Sequence, residues 1–194
     1  MYDCGITANR FLTTVQEETD ISAVIPQESW LRWINAVEQF LYTEVIAEFA
    51  ACEIPFRGAE TPLSAIGPAV TFDDVVRVYG DDVELDRAGV ITASVDSDYP
   101  IYYTDYAGNL CIRMDYEPAV LRVVYRLRPS VKVTGEEAIA LPVEWLDMLA
   151  ARLRAEAYKI ANTDDQAGKW MQDYNVQLES FKIWATKRNE RYGE

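Results

Sequence analysis

The chain contains 194 residues, of which 49% are hydrophobic and 12% aromatic, and its 32 acidic and 18 basic residues give a net charge of −14. This composition excludes wholesale disorder. The negative charge argues against tight binding of nucleic acid by counterion release, although it is compatible with DNA that moves past the protein without being bound. The length predicts one compact domain or one domain that carries an inserted subdomain.

Some residue types that carry chemistry are missing or scarce. There is no histidine, and the three cysteines, Cys4, Cys52 and Cys111, lie far apart in the sequence. Without histidine the chain lacks the usual general base, the usual zinc ligand and the usual partner of a serine or cysteine nucleophile. The cysteine spacing fits neither a disulfide framework nor a Cys-x-x-Cys site, so we expect three free thiols.

The sequence shows no targeting features. Its first residues have neither the basic nor the apolar region of a signal peptide, and no run approaches the roughly 18 apolar residues of a membrane span. We therefore expect a soluble protein that is made in the cytoplasm and does not contact a membrane.

Two helices are predicted in the N-terminal part. The first runs from Thr7 to Glu18, with Thr7 as its cap. The second runs from about Pro26 to Phe49, because apolar residues recur along it at steps of three and four. Its predicted apolar face comprises Trp30, Trp33, Ile34, Val37, Phe40, Leu41, Val45 and Phe49, and its predicted outer face comprises Arg32, Glu38, Glu44 and Glu48.

From Cys52 onward the helical period disappears, and short alternating segments follow a stretch rich in proline and glycine. One hairpin is predicted from residues 75–79 and 83–85, and a second from residues 101–104 and 110–114. A third strand over residues 120–128 alternates between a core face and a basic face. The basic face contains Arg122, Val124, Arg126 and Arg128.

The C-terminal third, residues 136–188, predicts an antiparallel helical hairpin. Two stretches, residues 146–160 and 167–185, each place apolar residues on one side of a helix, and residues 162–165 between them supply turn and cap residues. The leading helix is expected to begin near Leu141, with Pro142 in its first turn.

Together these elements predict an α+β fold. The N-terminal helices and the C-terminal helical hairpin are expected to form a bundle from residues 1–52 and 133–194. Residues 53–132 are expected to form an inserted antiparallel subdomain that is rich in β-hairpins.

Two pairs of carboxylates leave an enzymatic function open. Asp96 with Asp98, or Asp81 with Asp82, could serve a carboxylate-based hydrolase or another small acidic enzyme. Both pairs lie beside predicted turns, where aspartate commonly bonds the local backbone. The Asp96-x-Asp98 spacing lacks the glycine and the glutamate of an EF-hand. We therefore predict no catalytic residue, no metal site and no cofactor.

Aromatic and basic residues of the β region allow two interpretations. Tyrosines that could stack on bases are Tyr99, Tyr102, Tyr103 and Tyr106. No basic groove surrounds them in sequence, which favours strand packing or subunit contacts instead. Arg122, Arg126 and Arg128 could touch DNA phosphates, but pairing with acidic residues of a neighbouring subunit is favoured.

Several segments resemble the head-to-tail adaptor (connector) proteins of tailed bacteriophages. They are the helix with WLRWINAVEQFL, the hairpin region ending in GNLCIRM and LRVVYRLRP, then LPVEWLDML, and a closing helix with WMQDYNVQL. The resemblance extends from about Phe11 to Arg188. It implies a structural virion protein in the neck between capsid and tail, forming a ring of twelve subunits. It also implies docking on the portal protein, a downstream tail protein as a second partner, and a channel through which DNA passes.

The C-terminal end is a candidate docking site within that resemblance. Lys187, Arg188 and Arg191 concentrate positive charge there, and Trp184 and Tyr192 add aromatic surface of the kind enriched at interfaces. The alternative is that these cations only complement the helix dipole, which is worth about 0.3–1 kcal/mol. The sequence leaves both explanations open.

Overall fold

The computed structural model describes residues 4–21, 24–46, 48–56, 60–67, 70–90 and 99–192, with only the backbone of residues 60, 89–90 and 189–192. The α+β class is confirmed. The chain divides into two compact units, a helical unit of residues 1–47 and 128–194 and a β unit of residues 48–127. Within the described ranges, no helix combines the length and the apolar character that crossing a membrane requires.

The helices and strands follow one another in a simple order. The helices are α1 (Ala8–Glu17), α2 (Gln27–Glu44), α3 (Leu146–Ile160) and α4 (Asp164–Tyr192). The strands are β1 (Phe49–Pro55), β2 (Glu60–Pro62), β3 (Val75–Gly80), β4 (Val83–Val90), β5 (Ile101–Thr104), β6 (Asn109–Arg113) and β7 (Val120–Arg126).

Helix α1 is confirmed together with its cap. The Thr7 side chain accepts a hydrogen bond from the amide of Arg10, which satisfies one of the amide groups that the first helical turn leaves unpaired. Phe11, Leu12 and Val15 are buried on one side, as their spacing predicts.

Helix α2 ends earlier than predicted. Its last residue is Glu44, and Phe49 instead begins strand β1, whose residues pair with β7. The prediction was wrong because Leu41, Val45 and Phe49 continue the helical spacing by chance, while the strand pairing that competes with the helix involves residues about 75 positions away.

Helices α3 and α4 pack against each other after a connection of three residues. Asn162 in this connection has a φ of 54°, a left-handed conformation that asparagine tolerates better than most residues. The ring of Trp145, just before α3, lies 5.1 Å from that of Phe181, whereas the guanidinium of Arg154 further along α3 lies 4.7 Å from the ring of Trp170. Later positions of α3 thus meet earlier positions of α4, so the pair runs antiparallel.

The helical unit has one hydrophobic core, to which all four helices contribute. Its fully buried side chains include Ile34, Leu41, Met148, Leu149, Leu153 and Phe181. Leu153 lies in the middle of α3 and has no exposed surface.

We expect Leu153→Ala to lower the free energy of unfolding by roughly 2–5 kcal/mol, because the substitution removes buried apolar surface and leaves a cavity. Urea unfolding followed by circular dichroism measures the change. Ile160→Ala in the same helix is the matched control, since Ile160 is 51% exposed and its loss should cost well under about 1 kcal/mol. A loss below about 1 kcal/mol for Leu153→Ala would contradict the assigned core.

A return segment, residues 129–141, leads from the β unit into α3 and is bonded to α2. Glu38 of α2 was predicted to lie outside, but its side chain and that of Lys132 are both 0% exposed and form an ion pair. The second Glu38 oxygen accepts from the Ala140 amide at 2.7 Å. Asn35 adds two bonds to the backbone of Lys132, at 2.7 and 2.9 Å. Burial raises the pKa of the Glu38 carboxyl, an effect that Lys132 and the Ala140 amide oppose.

The return segment is also tied to its own backbone and to α1. Hydrogen bonds from the amides of Glu137 itself and of Val133, Thr134 and Gly135 lower the pKa of the Glu137 carboxyl to about 2. The amides of α1 residues 8 and 9 donate to carbonyls of the segment at 3.0 and 2.8 Å. The segment is therefore an ordered part of the helical unit.

The β unit is a seven-stranded mixed sheet with the order β1-β7-β3-β4-β5-β6-β2. The predicted hairpins β3–β4 and β5–β6 and the strand β7 are present. The expectation of a purely antiparallel region was wrong, because β4 and β5 pair in parallel. Strands β1 and β2 were missed, and they form the two ends of the strand order although only four residues separate them, so the sheet curls.

Both hairpin turns use residues that tolerate positive φ. Asp81 has a φ of 51° and Gly108 a φ of 80°. In the second turn the Asp105 carboxylate accepts from the amides of Ala107 at 2.9 Å and Asn109 at 2.8 Å. These bonds, with that from the Asn109 side chain, lower the pKa of Asp105 and fix the turn.

Candidate interaction surfaces

The outer sheet face is the side of β1, β7, β3 and β4 that points away from the β-unit core. On the inner side, Leu121, Val123 and Val78 are fully buried. On the outer side, Arg122 of β7 lies opposite Glu53 of β1 and Tyr79 of β3, and Tyr79 lies opposite Glu84 of β4. This arrangement confirms the alternation predicted for β7, with one core side and one side that carries arginines.

Arginines on the outer sheet face contact aromatic and acidic neighbours. The guanidinium of Arg122 lies 4.4 Å from the centre of the Tyr79 ring, a cation–π distance. The Arg77 side chain lies 3.7 Å from a Glu84 oxygen, and both side chains are more than half exposed. The Tyr79 side chain, followed by Glu84, raises the pKa of Arg77. Arg77 and Tyr79 were not among the predicted site residues, and the pairing of β3 with β7 places them beside Arg122.

The three predicted arginines are divided between the two units. Arg126 is partly buried and lies opposite Phe49 of β1 on the outer sheet face, four residues after Arg122 along β7. Arg128 is exposed and belongs to the helical unit. The structure therefore places Arg122 and Arg126 on the same side of one strand, and Arg128 follows the end of that strand in the sequence.

The C-terminal end of α4 carries part of the second predicted site. Trp184 is partly buried and packs against Phe181, with ring centres 5.3 Å apart, and against Trp145, at 5.9 Å. The Arg188 guanidinium lies 5.7 Å from the Trp184 ring, and Lys187 is exposed. The side chains of Arg191 and Tyr192 lie outside the described residues.

Helix α4 also exposes two aliphatic side chains that the sequence analysis missed. Val176 is 63% exposed and Ile183 is 59% exposed. They are seven residues apart and lie on the side of the helix opposite the buried Tyr174, Leu178 and Phe181. This spacing was visible in the sequence, but the stronger apolar stripe on the other side of the helix obscured it.

Of the candidate carboxylates, Asp81 has a structural role. An Asp81 oxygen accepts from the amides of Ala119 at 3.1 Å and Val120 at 3.2 Å, which lie 38 and 39 residues away, so Asp81 bonds a distant segment and not the local backbone that was expected. Asp96 and Asp98 lie outside the described residues. Within the described ranges no three side chains of Cys, Asp or Glu are grouped so that they could hold a metal ion.

The four tyrosines around β5 differ in their environments. Tyr102 is buried, and its hydroxyl donates to the carbonyl of Val76 at 3.2 Å. Tyr103 is partly buried, whereas Tyr99 and Tyr106 are 72% and 83% exposed. Tyr102 therefore packs within the β unit, and only Tyr99 and Tyr106 present most of their rings to solvent.

Comparison with known proteins agrees with the resemblance seen in the sequence. No curated protein matches the chain. A family model described as SU10 adaptor protein matches residues 6–193, which is nearly the whole chain and includes both units. The chain therefore belongs to the SU10 adaptor protein family, as a structural adaptor of a bacteriophage.

Proposed function

We propose that this protein is a head-to-tail adaptor of the virion neck that assembles into a ring of twelve subunits. The ring docks on the portal protein, receives a downstream tail protein and forms part of the channel through which DNA passes. The observation that carries the proposal is the family match over residues 6–193. The ring size and the portal come from the resemblance to head-to-tail adaptors.

Exposed apolar and aromatic side chains on both units support a role in assembly. In the helical unit Val176 and Ile183 are more than half exposed, and in the β unit Phe49 is 49% and Tyr106 is 83% exposed. Aromatic side chains at a surface supply large contact areas with few rotatable bonds, and they are enriched at interfaces. An adaptor that contacts several partners needs several such surfaces.

The charge of the chain supports the proposed channel role. A net charge of −14 for each subunit repels DNA phosphates at long range. A ring of such subunits can therefore surround DNA without retaining it, since tight binding would require clusters of lysine and arginine that release counterions.

The C-terminal end of α4 is the proposed portal contact. Ala185 is buried, and from residue 186 onward the described side chains are exposed or partly buried. Lys187 and Arg188 can pair with carboxylates of the portal, and the Trp184 ring beside Arg188 adds aromatic surface.

Deleting residues 186–194 tests this contact. We expect the truncated protein to keep its melting temperature, because the deleted residues follow the last described buried residue of α4, and to lose portal binding by at least about tenfold. Binding to purified portal protein is measured by surface plasmon resonance, and assembly by native mass spectrometry. The matched control is Lys169→Ala, which removes an exposed cation from the other end of α4.

Two outcomes would contradict the proposal at different levels. If the truncated protein binds portal with wild-type affinity, the C-terminal cations serve only the helix dipole, and portal docking occurs elsewhere. If the wild-type protein stays a monomer both alone and with portal, the adaptor-ring function itself is wrong.

A further inference from the structure

We propose that the outer sheet face is the surface on which a neighbouring copy of this chain docks. The inference rests on the proposed ring and names one of its subunit contacts. It commits to a second copy, and neither DNA nor the portal protein is the proposed occupant.

The strand pairing makes the outer sheet face contiguous and rigid. One row across four strands consists of Glu53, Arg122, Tyr79 and Glu84, and the next consists of Ala51, Val124 and Arg77. Side chains directly opposite each other on paired antiparallel strands are about 5 Å apart, so these residues form one surface. Because backbone hydrogen bonds already hold the rows in place, a partner that binds here loses little free energy to ordering.

Several described side chains of the outer sheet face are about half exposed or more. Arg77 and Glu84 have side chains that are 60% and 54% exposed, and Phe49 is 49% exposed. Its residue types also fit an interface, since a tyrosine stacked with an arginine lies in the middle and a phenylalanine lies on the edge strand. Arginine, tyrosine and phenylalanine are enriched at interfaces, and tyrosine and arginine are frequent among the residues that dominate binding energy.

The charge distribution indicates which partner the face fits. Residues 48–127 contain 14 acidic and six basic residues, and three of the six basic residues, Arg77, Arg122 and Arg126, lie on the outer sheet face. They are carried by the two middle strands, β3 and β7, while Glu53 and Glu84 lie on the flanking strands. The face is therefore nearly balanced in charge on an otherwise acidic unit.

Because the outer sheet face is nearly balanced in charge, it is a surface on which a second acidic copy of the chain can dock. Two copies that each carry −14 repel when acidic surfaces meet, so close approach is favoured where arginines can pair with the partner's carboxylates. DNA would gain little from the same face, because Glu53 and Glu84 offset the arginines. The arginines of the middle strands are thus positioned for carboxylates of the next copy.

Charge reversal tests the inference in the full-length protein. We expect Arg77→Glu/Arg122→Glu to raise the midpoint concentration of ring assembly at least about tenfold, while isolated subunits keep their affinity for portal. Sedimentation and native mass spectrometry measure assembly. The matched control is Arg32→Glu/Lys169→Glu, which makes the same charge change at exposed positions of the helical unit and should assemble normally.

A second variant covers the case in which the first is unfolded. Reversal of Arg122 creates a like-charge pair with Glu53, whereas Phe49→Ser changes no charge and removes only a half-exposed ring. If Phe49→Ser and Arg77→Glu/Arg122→Glu both fold and both form rings as stable as those of the wild type, the inference is overturned and the proposed function stays intact. Rings that form normally but lose portal would also overturn it, by assigning the face to the portal. If the wild-type protein forms no ring, both the proposed function and this inference are wrong.

Discussion

We expect Lys132→Met to lower the free energy of unfolding by about 3–5 kcal/mol. Lys132 and Glu38 both have fully buried side chains, and Glu38 would keep its charge after the substitution without its ionic partner. The cost of leaving a charge unpaired in the protein interior exceeds the cost of losing a surface ion pair several-fold. Urea unfolding monitored by tryptophan fluorescence measures the loss.

Two further variants separate the buried charge from lost packing. Glu38→Gln/Lys132→Met removes both charges and keeps an oxygen that can accept from the Ala140 amide, so it should recover much of the stability. Lys182→Met makes the same lysine substitution in an exposed pair with Glu179 and should cost no more than about 1 kcal/mol. Similar stability losses in Lys132→Met and Lys182→Met would show that the buried ion pair contributes no more to the free energy of unfolding than the exposed pair.

The same variant predicts a pH dependence of definite sign. Burial already raises the pKa of Glu38, and Lys132 is the largest influence that lowers it, so Lys132→Met should raise it further. A carboxyl whose folded pKa is above its unfolded value contributes stability below the unfolded pKa and loses that contribution as pH rises through the folded pKa. The stability deficit of Lys132→Met should therefore shrink as the pH falls through the raised folded pKa of Glu38 toward its unfolded pKa. A deficit independent of pH would show that Glu38 does not become buried as a lone charge.

Local patterns predicted most elements, and long-range pairing decided the exceptions. The periods that identify α1, α3, α4 and β7 are properties of short segments, and those elements are present. The end of α2 and the strand β1 depend on the pairing of residues 49–55 with residues 120–126. The parallel pairing of β4 with β5 depends on the path of the chain between them, which alternation in the sequence does not reveal.

Glu38 shows the same limit for a single residue. Glutamate is almost never fully buried without a partner, so its position among polar residues favoured the outer side of α2. Its partner is 94 residues away in the return segment, where Lys132 stands beside the exposed Val131 and Val133. A lysine between two valines in a strand-like alternation predicts buried valines and an exposed lysine, and the sequence offers no reason to connect Lys132 with Glu38.

The interaction surfaces could be predicted only in part for a related reason. The arginine alternation on β7 was visible within one strand, but Tyr79 and Arg77 join Arg122 only through the pairing of β3 with β7. At the other candidate site, the notable residues Trp184 and Arg188 are close in sequence and also in space, since both lie on α4. Whether Trp184 belongs to the core or to a docking surface depends on Trp145, which lies 39 positions earlier.

We expect Phe181→Ala to lower the free energy of unfolding by about 3–5 kcal/mol, and Trp184→Ala by only about 1–2 kcal/mol. Phe181 is 0% exposed and packs edge-on against Trp145 at 5.1 Å, so its removal opens a cavity in the core. Trp184 is partly exposed and covers Phe181 and Trp145 from one side, so solvent can occupy much of the space it leaves. Ile183→Ala, next to Trp184 but on the outward side of α4, is the stability control and should change little, because Ile183 is 59% exposed.

Urea unfolding ranks the three variants, and portal binding of Trp184→Ala is then measured on protein that remains folded. Retained stability with lost portal binding would identify Trp184 as a docking residue, whereas a stability loss as large as that of Phe181→Ala would place it in the core and leave Lys187 and Arg188 as the described candidates for portal docking.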